Sequence, residues 1–350
     1  MRRSGVTRLR TISNAFIQSQ ALYTAARLRV ADALADGPLP NNELAQQLGA
    51  HPERLYRVLR MLAVLGVFQE AEPGVWANNE LSELLRQQGE ETSMRDMVMH
   101  MGDETYKGFT TLSDSVLASH PSGIAFYDYS RGLDFWSWLN LPQHKEQQAY
   151  FDRAMKAASA SGMPAILQEF DWSPWAAGTV ADVGGGVGHV LAALLQRHQG
   201  MRGILLDRAP VIKAAQQAWQ QEYVDLAPRV QLLPGSFFEA VPPADAYFLK
   251  SILHDWSDEQ SSRILRAIRR SAPAGARLLL CEVAVPDELA QVQTWVASMD
   301  MVMMGMAGGK ERTVTEWRQL LASSGFALER VVPLSSGYSM IVAAPAAADE

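Results

Sequence analysis

The sequence predicts an α/β protein with a helical front half that includes a winged helix, followed by a Rossmann-type sheet. Helical periodicity broken by short turns runs from Thr11 to about Asn140. From Thr179 onward, short apolar runs alternate with helical patterns. Such alternation implies parallel strands joined by crossover helices, which build a doubly wound sheet. The predicted regions are an N-terminal dimerisation domain, linking helices that contribute to a substrate pocket, and an α/β catalytic domain: residues 1–100, 101–170 and 171–350.

The winged-helix prediction rests on two short helical patterns joined at Gly49, followed by two extended runs around Pro73-Gly74. This motif raises the alternative of a ligand-responsive transcriptional regulator. Residues 38–88, however, carry four arginines and six glutamates. A DNA-binding surface normally has the opposite charge balance. The sequence therefore favours a module that packs against a partner subunit.

Composition narrows the class of protein further. Hydrophobic residues make up 48% of the 350 residues and charged residues 20%, which is typical of a soluble globular protein. The formal net charge of -7 argues against electrostatic capture of nucleic acid or an acidic membrane. The single cysteine, Cys281, excludes an internal disulfide and a zinc site built from cysteines. Because no apolar run is long enough to span a bilayer, we expect a cytoplasmic protein.

A glycine-rich loop follows the first predicted strand of the α/β half. Gly184, Gly186 and Gly188 alternate there, which lets the chain turn sharply and lets a ligand approach the backbone. The next strand ends on Asp207, where a carboxylate can accept hydrogen bonds from ribose hydroxyls. This order predicts a nucleoside site. The third glycine or alanine of the dinucleotide fingerprint is missing, which argues against an NAD-dependent oxidoreductase. This class is therefore the runner-up interpretation, ahead of the transcriptional regulator.

A set of motifs identifies a known family. VADVGGGVGHV is followed in order by LLDRAPVI, PGSFFEAVPPADAYFLKSILHDWSDEQ, CEVAVP and GGKERT. From about residue 20 to 345 the chain resembles the plant-type small-molecule O-methyltransferases, which include caffeic acid methyltransferases and bacterial relatives acting on polyketides and phenazines. The string HDWSDE is highly specific to this family. The resemblance implies a homodimeric, metal-independent enzyme that uses S-adenosylmethionine to methylate an aromatic hydroxyl.

The resemblance also implies which residues hold the ligands. Gly184, Gly186 and Asp207 correspond to family positions at the methionine end and the ribose of the cofactor. The further cofactor positions that it implies are Ser236, Phe237, Lys250 and Ser159. Most relatives have aspartate where this chain has Ser236, so a weaker hydrogen bond to the adenine is expected there. The residues expected against the substrate ring are Phe151, Met155 and Met303.

His254 is the expected general base, because it follows the predicted strand ADAYFLKSIL at the edge where ligands of such sheets bind. A phenol has a pKa of about 10, so a base must take its proton at neutral pH, and an imidazole of pKa about 6.5 suits that task. Glu282 and Glu311 match the family pattern and are expected to orient the imidazole and stabilise its cation. Asp255 and Asp258 are expected to cap the next helix.

Overall fold

The computed structural model describes residues 2–87, 94–120 and 122–346. The chain divides into two units, Met1–Ala160 and Ser161–Glu350. Within these described ranges, no helix has the length and apolarity required to cross a membrane.

The first unit consists mainly of helices. In chain order they are α1 Arg2–Arg27, α2 Val30–Ala33, α3 Asn41–Gln47, α4 Pro52–Val64, α5 Glu80–Glu83, α6 Met94–His100, α7 Tyr106–Gly108, α8 Leu112–Ser115, α9 Ala125–Tyr129, α10 Phe135–Leu139 and α11 Lys145–Gln168. A π-helical turn, Met101–Thr105, connects α6 to α7. The last helix, α11, continues past residue 160.

The helices and the hairpin predicted near the N-terminus are present. Helix α4 begins with a proline, which favours the first helical position, and buries three leucines on one face. The strands β1 Leu39–Pro40, β2 Gln69–Glu72 and β3 Val75–Ala77 form an antiparallel sheet in the order β1-β3-β2. Trp76 is fully buried, and its indole N–H donates to Oδ1 of Asn41 at 3.1 Å. This hydrogen bond ties the hairpin to the start of α3.

The second unit is a twisted sheet of seven strands. They are β4 Thr179–Val183, β5 Arg202–Asp207, β6 Val230–Pro234, β7 Ala246–Lys250, β8 Arg277–Glu282, β11 Phe326–Pro333 and β12 Ser339–Pro345. The order across the sheet is β11-β12-β8-β7-β4-β5-β6. Strands β4 to β8 are parallel, whereas β11 and β12 are antiparallel additions at one edge. The predicted Rossmann-type sheet is therefore confirmed, and β9 Ala284–Val285 and β10 Arg312–Thr313 form a small separate pair.

Helices cover both faces of this sheet, as a parallel sheet requires. The helices of this unit are α12 His189–Arg197, α13 Ala209–Gln221, α14 Asp258–Ser271, α15 Thr294–Ala307 and α16 Val314–Ser323. Helices α12 and α13 pack on one face of the sheet and α14 and α16 on the other, whereas α15 contacts the 3-10 turn Leu253–Asp255. Two clusters of buried apolar side chains fill the space between the helices and the sheet. Because β4, β5 and β7 end at the same edge, the residues that follow them come together there.

The expected cap of α14 is wrong. Ser257 is the N-cap: its side chain accepts from the N–H of Gln260, whose side chain accepts in return from the N–H of Ser257. Asp258 instead bonds the guanidinium of Arg312, and Asp255 lies beside the imidazole of His254. Both carboxylates are therefore engaged by cations and not by the free N–H groups of the helix.

Candidate active site

The glycine loop between β4 and α12 lies against the chain that follows β7. Gly184 has a φ of 75° and donates its N–H to the carbonyl of Leu206 at 2.8 Å. A Cβ on Gly184 would stand 2.6 Å from Cδ1 of Ile252. A side chain at this position would force the side chain of Ile252, two residues before His254, to shift, and the positive φ itself favours glycine.

Asp207 lies at the end of β5, directly beside this loop. Its Oδ2 accepts the N–H of Gly186 at 2.9 Å, and its Oδ1 accepts the N–H of Arg208 at 2.7 Å. Burial raises the pKa of Asp207, although these two N–H groups act in the opposite direction. A carboxylate fixed at the end of the second parallel strand, next to an open glycine backbone, fits the ribose of the expected cofactor.

Asp182 is a buried carboxylate that the sequence analysis did not assign. It lies in β4, and its side chain packs under the glycine loop. Burial and the nearby Asp207 raise the pKa of Asp182 to about 7, while Lys250 lowers it. Burial in turn lowers the pKa of Lys250, which ends the adjacent strand β7. The sequence contains a signal for this residue, because an acid interrupts the apolar run TVADV. An unpaired buried carboxylate is costly, so an acid in a buried strand indicates a specific role.

Ser236 and Phe237 follow β6. The hydroxyl of Ser236 accepts the N–H of Phe238 at 3.3 Å, which fixes the turn. The ring of Phe237 lies 5.0 Å from that of Phe238 and 6.2 Å from that of Trp256. Phe237 also lies beside Gly184, since Cε1 is 3.5 Å from the position of a Cβ there. The structure thus brings Phe237 to the loop, while the adenine contact of Ser236 stays a prediction.

His254 lies in a short 3-10 turn, Leu253–Asp255, just after β7. Its Nδ1 is 2.9 Å from Oε1 of Glu311, and its Nε2 is 3.6 Å from Oδ1 of Asp255. The Glu311 side chain is completely buried. One ring nitrogen of the imidazole is therefore held by a carboxylate, and the other faces a second carboxylate at a longer distance.

The carboxylates around His254 change its protonation. Burial by itself lowers the pKa of the imidazole, but Asp255, Glu282 and Glu311 outweigh it and raise the pKa of His254 to about 10. Burial raises the pKa of Asp255 to about 6 and that of Glu282 to about 7, although the imidazolium opposes both shifts. The expectation that His254 titrates near 6.5 therefore does not fit this environment.

Glu282 acts at a different place from the one expected. Its Oε1 accepts the N–H groups of Ile252 and Leu253 at 2.9 and 2.8 Å, and within the described residues it makes no direct hydrogen bond to His254. Glu282 therefore holds the backbone just before His254, and from that position its negative charge helps to raise the pKa of the imidazole. One carboxylate oxygen of Glu282 and one of Glu311 have no hydrogen-bond partner among the described residues.

Arg312 is a positioning residue that sequence reasoning missed. Its side chain is 0% exposed, and it donates to the carbonyls of Leu253 and Trp256 at 2.9 and 2.8 Å. It also donates to Asp258 Oδ1 at 2.8 Å. These contacts enclose the turn that contains His254. A buried arginine must satisfy five N–H donors, but nothing in the letters GGKERT indicates that this arginine is buried, so no local pattern identifies it.

Two hydrogen bonds, one to Asp300 and one from Lys310, hold the backbone of Glu311 and of His254. Oδ1 of Asp300 accepts the N–H of Glu311 at 2.9 Å. The N–H of Lys310 donates to the carbonyl of His254 at 2.9 Å. The GGKERT segment is therefore hydrogen-bonded to the backbone of His254 on one side and to α15 on the other.

The expected substrate residues lie on two helices. Phe151, Met155 and Ser159 are on α11 in the first unit, and all three are partly buried. Met303 is on α15 in the second unit, where its carbonyl accepts the N–H of Gly309 at 3.1 Å. Their contacts with substrate stay predictions. Within the described ranges, no group of three or more His, Cys, Asp or Glu residues is arranged to hold a metal ion.

Two family models match the chain. The O-methyltransferase domain matches residues 109–327, and the O-methyltransferase dimerisation domain matches residues 11–88. Among curated proteins, the phenazine O-methyltransferase PhzM of Lysobacter antibioticus is 37% identical over 329 residues, which cover 93% of this chain and 92% of the relative.

Solved structures agree with these matches. The mitomycin 7-O-methyltransferase MmcR has a TM-score of 0.88 and 30% identity, with 99% of each chain covered. The O-methyltransferase NcsB1 from neocarzinostatin biosynthesis has a TM-score of 0.78 and 31% identity, covering 93% of this chain and 95% of the other. NcsB1 was solved with S-adenosylmethionine and 2-hydroxy-5-methyl naphthoic acid.

Proposed function

This chain belongs to the S-adenosylmethionine-dependent O-methyltransferases, and from that premise we propose that it methylates a hydroxyl of an aromatic secondary metabolite with His254 as the general base. The observation that carries the proposal is the 2.9 Å contact between Nδ1 of His254 and Glu311, at the edge of the sheet where ligands of this fold bind. The names of the relatives support a phenazine or naphthoate frame for the substrate.

The bound cofactor supplies the electrophilic methyl group. The chain prepares the acceptor, because a phenol of pKa about 10 is a weak nucleophile until its proton is removed. With Nδ1–H donated to Glu311, the neutral imidazole presents the lone pair of Nε2 to the substrate hydroxyl. After His254 takes the proton, the carboxylates of Glu311, Glu282 and Asp255 stabilise the imidazolium.

The loop residues Gly184 and Gly186 and the carboxylate of Asp207 hold the cofactor in this proposal. Asp207 is already fixed by two backbone N–H groups, so it can accept ribose hydroxyls with its remaining lone pairs. Phe237 packs beside the loop and offers an apolar face to the adenine. The further cofactor contacts are assigned to Ser236, Lys250 and Ser159, and the substrate contacts to Phe151, Met155 and Met303.

The test is a panel of hydroxylated phenazines, naphthoates and quinones incubated with S-adenosylmethionine whose methyl group is isotopically labelled. We expect one or more substrates to gain the labelled methyl on oxygen, as read by mass spectrometry and NMR. Each active substrate is matched with its amino analogue. Label on nitrogen alone, or no labelled product with any substrate, contradicts the proposed reaction.

We also propose that the chain forms a homodimer through its front half. Helix α1 has a row of apolar side chains that are between 48 and 69% exposed: Val6, Leu9, Ile12, Phe16 and Ile17. Such a row on one helix is typical of an interface. Charged substitutions Leu9→Glu and Ile12→Glu should convert the dimer to monomers in analytical ultracentrifugation, with Thr11→Glu, at an exposed position on the opposite face of α1, as the control. A native dimer that both substitutions leave intact contradicts this interface.

A further inference from the structure

Three buried carboxylates in the described part of the chain have an oxygen without a hydrogen-bond partner: Glu282, Glu311 and Glu104. The first two belong to the site around His254. Glu104 lies in the first unit, in the π-helical turn between α6 and α7, and its side chain is 0% exposed. Its Oε1 is 2.5 Å from Nδ1 of His100. Each unit thus contains an imidazole whose Nδ1 is held by a buried glutamate.

In the two buried aspartates of the described first unit, Asp96 and Asp103, both carboxylate oxygens have hydrogen-bond partners. Both oxygens of Asp103 are bonded, one to Lys107 and the other to Nε2 of Gln147 at 3.3 Å. Both oxygens of Asp96 accept hydrogen bonds from one guanidinium, at 2.8 and 2.9 Å. A buried carboxylate oxygen that lacks a donor is costly, so it is rare without a functional reason. Glu104 Oε2 is an acceptor for which the described chain supplies no donor.

Two aromatic rings pack beside the imidazole of His100. The ring centroid of His100 lies 5.1 Å from that of Phe151 and 6.1 Å from that of Phe135. Trp136 extends the cluster, with its ring 5.7 Å from Phe151. Edges and faces of such rings form a surface suited to a flat aromatic ligand, with a few polar groups that fix its orientation. Phe151 is also one of the residues expected at the substrate ring.

The backbone at this place is irregular. The residues Met101–Thr105 form a π-helical turn, which interrupts the regular hydrogen bonding of the helix. The carbonyl of Gly102 accepts from Nε2 of Gln20 on α1 at 2.9 Å, which supports the turn from outside. Single π-helical turns occur frequently at functional sites, where they aim side chains that a regular helix would direct elsewhere.

We propose that Glu104, oriented by His100, is a specificity-determining residue that binds a hydrogen-bond-donating substituent of the aromatic substrate. This substituent is a ring O–H or N–H at a position other than the hydroxyl that is methylated. The donor satisfies Oε2 of Glu104, and the ring that carries it lies against Phe151. A methoxy group at the same position cannot donate, so it leaves the carboxylate oxygen unpaired. The inference rests on the proposed function for its class of substrate.

The test compares pairs of ligands that differ only in this donor, on naphthalene, phenazine and anthraquinone frames. Each dihydroxy compound is paired with its monomethyl ether, and affinity is measured by calorimetry on the full chain with S-adenosylhomocysteine present. On at least one frame, wild type should bind the dihydroxy compound at least tenfold more tightly than the ether. Glu104→Gln should reduce this ratio below threefold and leave the affinity for the ether unchanged. Glu146→Gln, an exposed glutamate of the same unit, is the matched control.

His100→Asn keeps Glu104 but removes the imidazole that orients it, and it should lower the same ratio part of the way. This second variant keeps the test decisive if Glu104→Gln does not fold. A ratio near one for wild type on all three frames overturns the assignment. An equal loss of affinity for both ligands in the variants also overturns the assignment, since it indicates that Glu104 and His100 only support the fold. Calorimetry measures binding and not turnover. A failure of methyl transfer would therefore contradict the proposed function without changing the outcome of this binding test.

Discussion

The carbonyl oxygen of His254 lies 1.9 Å from the position that a Cβ on Gly309 would occupy. The same hypothetical atom would stand 2.7 Å from the carbonyl carbon of Asp255. Only glycine lets the GGKERT segment approach the turn that carries the base this closely. The contact sets the distance between the backbone of Glu311 and that of His254, and so it determines whether Glu311 reaches Nδ1.

Gly309→Ala should therefore damage catalysis more than cofactor binding. A methyl group with no space must displace the His254 turn, which should cost about 1–3 kcal/mol of the free energy of unfolding. Displacement of the base by about 1 Å should lower kcat by on the order of 10²-fold. Thermal unfolding, calorimetry with S-adenosylhomocysteine and kcat measure the three quantities. Gly275→Ala is the control, since a Cβ there meets nothing within 4 Å. A fully active Gly309→Ala protein contradicts the role of this contact.

Arg312 should act on the rate through the same turn. Arg312→Lys keeps a positive charge but cannot donate to Leu253, Trp256 and Asp258 together in the planar geometry of a guanidinium. We expect kcat to fall about 10- to 100-fold, with KM and the affinity for S-adenosylhomocysteine nearly unchanged. Arg318→Lys, an exposed position on α16, serves as the control. Equal loss of cofactor affinity and rate would indicate that Arg312 supports the fold as a whole.

Much of the fold could be predicted because local patterns determine it. The five parallel strands are short apolar runs bounded by turns, and each lies where the sequence predicts a strand. The antiparallel strands β11 and β12 were not delineated. Strand β11 is largely exposed or half-buried, so its residues do not form the continuous apolar run of a central strand.

The site could be predicted in part, for a similar reason. His254, Glu311 and Asp207 stand at strand ends or in a specific motif, where position along the chain implies position in space. The contacts of Arg312 with Leu253 and of Asp300 with Glu311 depend on tertiary packing and have no local pattern. The altered protonation of His254 likewise follows from the three carboxylates that the fold places around it.

Asp207→Asn should weaken cofactor binding and also lower stability somewhat, because its NH2 group faces one of the two backbone N–H groups that the carboxylate accepts. The amide retains one acceptor but loses the charge that strengthens hydrogen bonds to ribose hydroxyls, so we expect a loss of about 1–3 kcal/mol in the affinity for S-adenosylhomocysteine. Isothermal calorimetry measures it, with Asp225→Asn at an exposed position as the control. Measuring NAD on the same proteins tests the oxidoreductase alternative. An unchanged affinity in folded Asp207→Asn protein would remove the ribose assignment.

The pH dependence should reflect the carboxylates near the base. The reactive form of His254 is neutral, and its pKa is raised to about 10, so kcat/KM should increase with pH from 7 to 9 and not level off near 6.5. Asp255 is the largest of the charges that raise this pKa. Asp255→Asn should therefore move the midpoint of the profile to lower pH and increase relative activity at pH 7. A profile that has the same midpoint in wild type and in Asp255→Asn contradicts this electrostatic account.

His254→Ala should reduce kcat by roughly 10²- to 10⁴-fold, because no other group takes the proton of the hydroxyl. The affinity for S-adenosylhomocysteine should be nearly unchanged, since the proposed cofactor residues, the glycine loop and Asp207, do not include the imidazole. In this variant the rate should follow ionisation of the substrate hydroxyl.

A phenol made acidic by electron-withdrawing ring substituents arrives already ionised, so it should lose much less activity on His254→Ala than an ordinary phenol. The competing account is that proximity and exclusion of water carry the reaction and that the imidazole only packs against the ring. On that account, His254→Gln, which retains volume and polarity, should be close to wild type with every substrate. Measuring kcat for both variants on one weakly and one strongly acidic phenol separates the two accounts. A small loss that is equal for both phenols would rule out His254 as the base.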